Sequence, residues 1–290
     1  MAENETPSGS PLRLLASLFL LILLPLAAGL FLAPRALPKP QVGIIRLSYD
    51  IFSLTANEIT QQLAYARQDP AIKAVVLIIN SPGGSAAFSE ELFLDVLHTR
   101  ETLPVVANID IVAASGAYYM AAAADEIYAK PTSSIGSIGV IAFLPGPVFI
   151  EDDLVTSGPY KAFGGTQDGF VRQVEMAKFT FLSAIEQGRG DKLNVDSSVL
   201  SRAEIYTGVQ AEAMGLIDGL LSTEEAIQRA AQLAGLRHHE TVELYPLVFD
   251  SANSVAYGRY QPPPLDLQRL WAPPVGLPTG LYYRHIEPGQ

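Results

Sequence analysis

The feature that most constrains the fold of this chain is an uninterrupted apolar run, AVVLII, at residues 74–79. A strand without a polar face is buried on both sides, as in a parallel sheet covered by helices. Just before it, Ile59, Leu63 and Ala66 recur at helical spacing, which favours a helix packed against that sheet. The sequence therefore predicts an α/β fold built from βαβ units.

The same two periodicities continue along the middle of the chain. Strands are predicted at 42–47, 105–109, 127–129 and 138–142, and helices at 55–67, 89–99, 116–124, 170–186, 211–216 and 224–236. Thr55 is predicted to cap the first of these helices, because Glu58 follows at the capping-box distance.

Composition limits the classes of function. The 290 residues include 19 Lys and Arg against 30 Asp and Glu, a net charge of -11. A body this acidic repels phosphate backbones, which excludes nucleic acid as the main partner. The absence of cysteine excludes a thiolate nucleophile and cysteine-ligated metals. We expect neither a metal nor a cofactor.

The N-terminal segment predicts a membrane anchor. Residues 14–33, LLASLFLLILLPLAAGLFLA, carry no charge, and a helix of about 20 residues crosses the hydrocarbon core of a bilayer. We predict one transmembrane helix at about residues 12–33, kinked at Pro25. The alternatives are a cleaved signal peptide, for which this run is too long, and a buried helix. Arg13 on one side and Arg35 and Lys39 on the other leave the orientation open.

Proline divides the chain into three segments. Six of the 21 prolines lie in residues 1–40 and eight in residues 246–290, which leaves seven for the 205 residues between. We predict an anchor and short stalk at 1–40, a folded domain at 41–245, and an extended Pro-rich tail at 246–290. Such a tail covers a groove or binds a partner.

Two glycine- and serine-containing segments follow predicted strands. NSPGGS at 80–85 places Gly83 in a sharp turn whose N–H groups suit an oxyanion hole, although an ordinary tight turn has the same sequence. AASGAYYM at 113–120 places Ser115 at the start of a helix, where the free N–H groups favour a developing negative charge. The alternative for Ser115 is a simple N-cap.

A serine nucleophile needs a base. None of the four histidines, His98, His238, His239 and His285, follows a predicted strand next to an acidic residue, which disfavours a Ser-His-Asp triad. A lysine can serve when burial lowers its pKa. Lys161 lies among apolar, aromatic and glycine residues in SGPYKAFGG, whereas Lys178 and Lys192 have more polar neighbours. The alternative for Lys161 is a surface lysine.

Four motifs in order, NSPGG, AASGAYYMA, SSIGSIGVI and TSGPYK, resemble the signal peptide peptidase A (SppA) family. The similarity extends over residues 42–236 and includes EQGRG at 186–190 and GVQAEAMGLID at 208–218. The resemblance implies a ClpP/crotonase-type α/β spiral fold. It also implies a membrane-anchored serine protease with a Ser/Lys dyad.

The resemblance assigns a role to each matching residue. Ser115 would be the nucleophile, Lys161 the general base, Gly83 and Gly116 the oxyanion-hole donors, and Ser137 the residue that orients the lysine. Tyr118 and Tyr119 are candidates to line the substrate groove, or else they pack helix against core. Segments 140–155 and 162–170 depart from the family pattern.

The resemblance also implies the cellular setting. The substrates would be signal-peptide remnants or other hydrophobic peptides, cleaved by a single-repeat enzyme that forms a homo-oligomeric ring. The N-terminus would be cytoplasmic, the helix would contact membrane lipid, and the catalytic domain would lie outside the cytoplasm. Three rivals remain: an acyl-CoA enzyme of the same superfamily, a non-catalytic oligomeric scaffold, and a stomatin-partner type of membrane protease.

Overall fold

The chain divides into two units, residues 1–40 and residues 41–290. The computed structural model describes residues 11–36, 39–143, 157–158, 160–161, 164–249 and 281–284. The predicted domain boundary near residue 246 lies within helix Leu244–Val248. Of the departing segment 140–155, residues 144–155 lie outside the described residues, whereas only residues 162 and 163 of the segment 162–170 do.

The first unit contains three consecutive helical pieces: α1 (Pro11–Leu18), a π-helix (Phe19–Leu23) and α2 (Leu24–Ala36). Leu24 donates its N–H to the carbonyl of Phe19, five residues back. Pro25 has no N–H to continue an α-helical ladder, and proline is a usual cause of such interruptions. No helix found within residues 11–36 or the other described segments is both long and apolar enough to cross a membrane.

The described strands of the second unit are β1 (Gln41–Leu47), β2 (Ile72–Ser81), β3 (Gly83–Ser85), β4 (Val105–Ala114), β5 (Glu126–Ala129), β6 (Ser134–Gly136), β7 (Ile141–Ala142), β8 (Ile205–Thr207), β9 (Gly219–Leu220), β10 (Glu240–Glu243) and β11 (Leu281–Arg284). Most of them form a mainly parallel sheet in the order β10–β1–β2–β4–β5–β9, with β6 beside β4 and β8 antiparallel to β6. The mixed α/β architecture with a parallel-rich sheet is the predicted class.

Helices cover both faces of this sheet. They are α3 (Ser53–Gln68), α4 (Ala86–Arg100), α5 (Gly116–Ala121), α6 (Gln167–Arg189), α7 (Ser197–Leu200), α8 (Gly208–Ala213), α9 (Thr223–Leu233) and α10 (Leu244–Val248). Alternate residues of β2 face opposite layers: Val75 and Leu77 pack in the cluster with α3 and α4, whereas Ala74 and Val76 pack in the cluster with α9. This two-sided burial explains the apolar run that the sequence shows.

A second, small antiparallel sheet lies beside the first, in the order β3–β11–β7. Its central strand, β11, comes from the predicted extended tail. On its other side, β3 is held by Ile51, which donates its N–H to Gly83 O at 2.8 Å and accepts from Ser85 N–H at 2.8 Å. A side chain at Gly84 has no room, since its Cβ would lie 2.2 Å from Ile51 O.

Two local predictions are corrected. Helix α3 begins at Ser53 with Phe52 as N-cap, so Thr55 lies inside the first turn and its Oγ1 accepts the Phe52 N–H at 2.9 Å. The strand predicted at 138–142 is shorter than expected, because only β7 (Ile141–Ala142) lies within it. Strand β6 ends before it at Gly136, and Ser137 follows with a positive φ of 52°. A non-glycine residue in that conformation ends the regular pairing.

A buried ion pair ties α6 to the sheet. Arg189 donates from Nη1 to Asp218 Oδ2 at 2.7 Å and from Nε to Gly215 O at 2.9 Å. Ile127 N–H donates to the same carboxylate oxygen at 2.7 Å, and Lys192 Nζ lies 2.6 Å from Oδ1. Burial alone would raise the pKa of Asp218, but these hydrogen bonds outweigh it and the pKa lies below its usual value.

We expect Asp218→Asn to lower the free energy of unfolding by about 3 kcal/mol at pH 7, because it leaves the Arg189 charge buried without its partner. The folded-state pKa of Asp218 is depressed, so its contribution is complete above the unfolded pKa near 4 and fades as the pH falls further. Denaturant unfolding of both proteins at pH 7 and pH 3 measures the difference. A stability gap that is equal at the two pH values would contradict this assignment.

Candidate active site

Three strand ends converge where the sequence predicts the site. In the parallel sheet, Ser81 of β2 pairs with Ala113 of β4, and Ala113 pairs with Ile135 of β6. The carboxyl ends of parallel strands share one edge, which is where α/β proteins place their sites. Gly83, Ser115 and Ser137 each follow one of these strands within two residues. The fold therefore brings the three predicted motifs to one edge.

Ser115 lies at the junction of β4 and α5 in a strained conformation, with φ 55° and ψ -125°. Such a conformation costs a non-glycine residue about 1–3 kcal/mol and persists only where its surroundings hold it. Its N–H donates to Gly136 O at 2.8 Å. The residue is fully buried, and its Oγ has no hydrogen-bond partner among the described residues. The hydroxyl is thus fixed in position and uncommitted.

Gly116 begins α5 directly after this serine. The first N–H groups of a helix have no acceptor within the helix and carry its positive dipole end. All six residues of α5 are buried, which keeps water from competing for these donors. The amide of Gly116 is therefore suited to bind an oxygen that acquires charge next to Ser115.

Gly83 presents the other predicted oxyanion donor. Its φ of 97° suits glycine alone among the common residues. In this structure its N–H donates to Ser81 Oγ at 3.2 Å. Ser81 belongs to the NSPGG motif, but the motif alone does not indicate a role for its hydroxyl. The hydroxyl satisfies a buried amide that would otherwise cost free energy while no substrate is present.

Ser137 lies beside the nucleophile through the backbone. It follows Gly136, the residue that accepts the Ser115 N–H, and its own N–H donates to Glu204 O at 2.8 Å. The side chain is almost completely buried. A Cβ at Gly136 would lie 2.5 Å from Glu204 O, so the glycine before Ser137 allows this close approach.

Lys161 is not joined to these residues in the single chain. It is exposed, and its backbone N–H donates to Gly158 O at 3.2 Å. No hydrogen bond or ion pair among the described residues links its side chain to Ser115 or Ser137. The burial that a lysine base requires is absent here.

Tyr118 and Tyr119 lie in the core rather than along a groove. Tyr118 is fully buried, and its hydroxyl donates to Leu216 O at 2.6 Å; burial raises its pKa. Tyr119 is 3% exposed and its ring lies 5.1 Å from Phe93 and 4.8 Å from Phe181, centre to centre. Burial raises its pKa to about 12. Both positions therefore agree with the alternative that these tyrosines pack the helix against the core, because each ring fills space between α5 and its neighbours.

The remaining features that could hold a ligand are a metal-binding cluster and a cavity. Within the described part of the chain, no group of three or more His, Asp or Glu could hold a metal ion. A cavity of about 290 Å³ lies at the end of β1, where its lining includes Arg46, Glu58, Gln62 and Tyr245. None of the residues around Ser115 lines it, so this cavity is separate from the candidate active site.

Comparison with known proteins gives the relatives of this chain. The model of Peptidase family S49 matches residues 98–237, and that of Clp protease matches residues 40–136. Protease 4 of Salmonella typhi is 29% identical over 205 residues, which are 65% of this chain and 33% of that protein. A Synechocystis sp. protein that its name describes as a protease is 32% identical over 213 residues, 68% of this chain and 76% of the relative.

A plant relative has a similar level of identity over most of this chain. The chloroplastic serine protease SPPA of Arabidopsis thaliana is 29% identical over 235 residues, 72% of this chain. The chain spans 35% of that protein's length and 33% of the length of Protease 4.

The strain at Ser115 predicts an unusual order of stability. The Ser115→Gly variant should be more stable than Ser115→Ala, with a free energy of unfolding about 1 kcal/mol higher. Glycine relieves roughly 1–3 kcal/mol of backbone strain and costs only about 0.5–1 kcal/mol of chain entropy. Both variants lack the hydroxyl, so denaturant unfolding compares backbone effects alone. The same two substitutions at Ser89, which is buried in α4, are the control. There the Ser89→Gly variant should be less stable than Ser89→Ala, because glycine disfavours a helix interior. If the Ser115→Gly variant were less stable than Ser115→Ala, the backbone at residue 115 would not be strained.

Proposed function

Because the chain belongs to peptidase family S49, we propose that it is a serine endopeptidase with Ser115 as nucleophile and Lys161 as general base. One observation carries the proposal: the Ser115 hydroxyl is buried and unbonded on a strained turn, between the glycine turn at Gly83 and the start of α5. Such placement of a nucleophile beside backbone donors is what acyl transfer requires.

The proposed reaction uses the two side chains in turn. Neutral Lys161 takes the Ser115 proton as Oγ bonds to the peptide carbonyl carbon. The carbonyl oxygen becomes an oxyanion, which accepts hydrogen bonds from the N–H groups of Gly83 and Gly116. The protonated lysine then gives its proton to the leaving amine as the C–N bond breaks, and water hydrolyses the acyl-enzyme with the same base.

Ser81 and Ser137 support these steps. The oxyanion replaces Ser81 Oγ as acceptor of the Gly83 N–H, so the donor is ready before substrate arrives. Ser137, held by its N–H bond to Glu204 O, would orient the lysine amine towards Ser115. A single oxyanion donor contributes about 2.7–4 kcal/mol to such catalysis.

The exposure of Lys161 supports a homo-oligomer as the active form. Helix α6 presents Met176 and Phe179 to solvent at 70% and 72% exposure, with Val171 also exposed. Large apolar side chains grouped on one helix are typical of an interaction surface. We propose that a second copy covers this face and buries Lys161, as in a homo-oligomeric ring. A non-catalytic oligomeric scaffold is the second candidate, and the same exposure of Lys161 favours it.

The proposed setting is a membrane surface. The uncharged residues 14–33 support a single-pass anchor that contacts membrane lipid, with the N-terminus cytoplasmic and the catalytic unit outside the cytoplasm. The proposed substrates are signal-peptide remnants and other hydrophobic peptides. A stomatin-partner type of protease would share this chemistry and differ in its membrane-protein substrate.

Cleavage of an apolar fluorogenic peptide by the full chain tests the dyad. Ser115→Ala and Lys161→Ala should each lower kcat/KM by at least about 100-fold, because both remove a group that acts on a proton in the transition state. The wild-type rate should rise with pH, since only the neutral amine accepts the proton. Lys178→Ala is the matched control, because Lys178 lies on α6, where its amine pairs with the Glu175 carboxylate at 3.5 Å.

The outcomes separate the candidates. Loss of cleavage in both dyad variants and not in Lys178→Ala supports the protease. Equal rates in wild type and Lys161→Ala would remove the lysine from the mechanism. An oligomeric wild type without cleavage would favour the scaffold.

If α6 forms the proposed interface, a charge on it should lower both the molar mass of the particle in solution and the peptidase activity. Phe179→Asp places a charge on the apolar face of α6, which should dissociate the oligomer and lower peptide cleavage with it. Light scattering measures the mass. Val209→Asp, which changes an exposed apolar residue on α8, should leave the mass unchanged. An unaltered mass in Phe179→Asp would place the interface elsewhere.

A further inference from the structure

The cavity at the end of β1 is lined by one face of helix α3. Thr55, Glu58, Ile59 and Gln62 all line it, and their spacing of three and four residues places them along the same side of the helix. Tyr245 of α10, a helix that packs against α3, also lines the cavity. The packed side of a helix is usually apolar. A glutamate and a glutamine at two of these positions therefore indicate something other than packing.

Gln62 brings an unsatisfied acceptor to this cavity. The residue is 2% exposed, its Nε2 donates to Glu58 O at 3.0 Å, and its Oε1 has no partner among the described residues. Reversing the amide would place Oε1 against another carbonyl oxygen, so the unsatisfied group is an acceptor. A buried acceptor without a donor lowers stability. The helix carries this group although methionine has a similar length and helix propensity.

Of the two charged residues that line the cavity, Arg46 is paired and Glu58 is not. Arg46 donates from Nη2 to Glu243 Oε1 at 2.7 Å and from Nε to both carboxylate oxygens of Glu243 at 3.1 Å. No hydrogen bond or ion pair from a described residue reaches the half-buried carboxylate of Glu58. Burial raises the pKa of Glu58, as expected for a carboxylate without a cationic partner. The cavity thus combines one unpaired negative charge with one unsatisfied acceptor.

These two groups select a ligand that carries positive charge and donates hydrogen bonds. An ammonium group has three N–H donors and no acceptor, so it pairs with the Glu58 carboxylate and has further N–H groups to donate. Gln62 Oε1 is covered in this structure, and it reaches the ligand when the amide turns about its last, soft torsion. Leu47 and Ile59 supply apolar surface for an aliphatic stem. A divalent metal ion needs more oxygen ligands than one carboxylate and one amide.

We propose that this cavity is a binding site for a primary ammonium group on an aliphatic stem, with Glu58 as its counter-ion and Gln62 Oε1 as a second acceptor. The volume of about 290 Å³ is at the lower end for small-molecule pockets. The ligand is therefore a free alkylamine or a single lysine side chain. The site is independent of the proposed protease, because none of its residues takes part in that reaction and no cleavage enters the readout.

Calorimetric titration of the full chain with n-pentylamine tests the site. n-Pentanol, which has the same stem without the charge, should bind at least about tenfold more weakly, because hydrogen bonds between charged groups are the stronger ones. Glu58→Gln keeps the shape of the side chain and removes its charge, so it should weaken pentylamine binding by about tenfold or more. Glu91→Gln, at an exposed position on α4, is the matched control and should bind like the wild type.

Gln62→Met separates a binding role from a structural one. The substitution removes the unsatisfied oxygen, so the variant should melt at a higher temperature and bind pentylamine about threefold or more weakly. Gln61→Met, at the exposed neighbouring position on α3, should change neither quantity. If Gln62 served only the fold, its substitution would lower the melting temperature and leave the affinity unchanged, and the role of Oε1 in binding would be overturned.

A second probe distinguishes the two sources of the ammonium group. Nα-acetyl-lysine methylamide carries the same group on a peptide unit. Competition between this probe and pentylamine would assign the site to a lysine side chain, and binding of pentylamine alone would assign it to a free amine; both results support the site. The proposal would be overturned if pentylamine did not bind, or if the wild type and Glu58→Gln bound it equally.

Discussion

The hydrogen bond from Ser115 N–H to Gly136 O is the interaction on which the candidate site depends. It joins the end of β4 to the end of β6, and it holds Ser115 where φ is positive. The same contact brings Ser137, one residue further on, beside the serine. On its other side, glycine at 136 lets β6 lie close to the residue before β8, because a side chain there would meet Glu204 O. One backbone bond thus orders two of the three motifs.

Packing far from Ser115 holds this strained turn in place. Helix α5 is entirely buried, and its Tyr118 hydroxyl is anchored on Leu216 O. Leu216 lies in the segment that Arg189 fixes through Gly215 O and the Asp218 carboxylate. The two later motifs, EQGRG and GLID, therefore form a buried polar support behind the nucleophile.

The parts of the fold that depend on local pattern were predictable, and the parts set by tertiary contact were not. The apolar run at 74–79 gave the buried central strand, and the NSPGG and AASG motifs marked the turn and the nucleophile position. Thr55 was misplaced because Ser53 and Thr55 both suit a helix start, and only the bond to Phe52 N–H decides between them. The tail shows no alternation typical of a strand, so β11 was not predicted. Its strand conformation comes from pairing with the edges of β3 and β7.

The small sheet joins segments that are far apart along the chain. Gly83 and Arg284 are paired across about 200 residues, and closing a loop of that length is entropically costly for so few bonds. During synthesis, residues 281–284 leave the ribosome only after β1 to β10 have emerged. The large sheet can therefore be complete while the cleft edge is still unpaired, and the pairing of β11 would be the last step of folding and among the first to open.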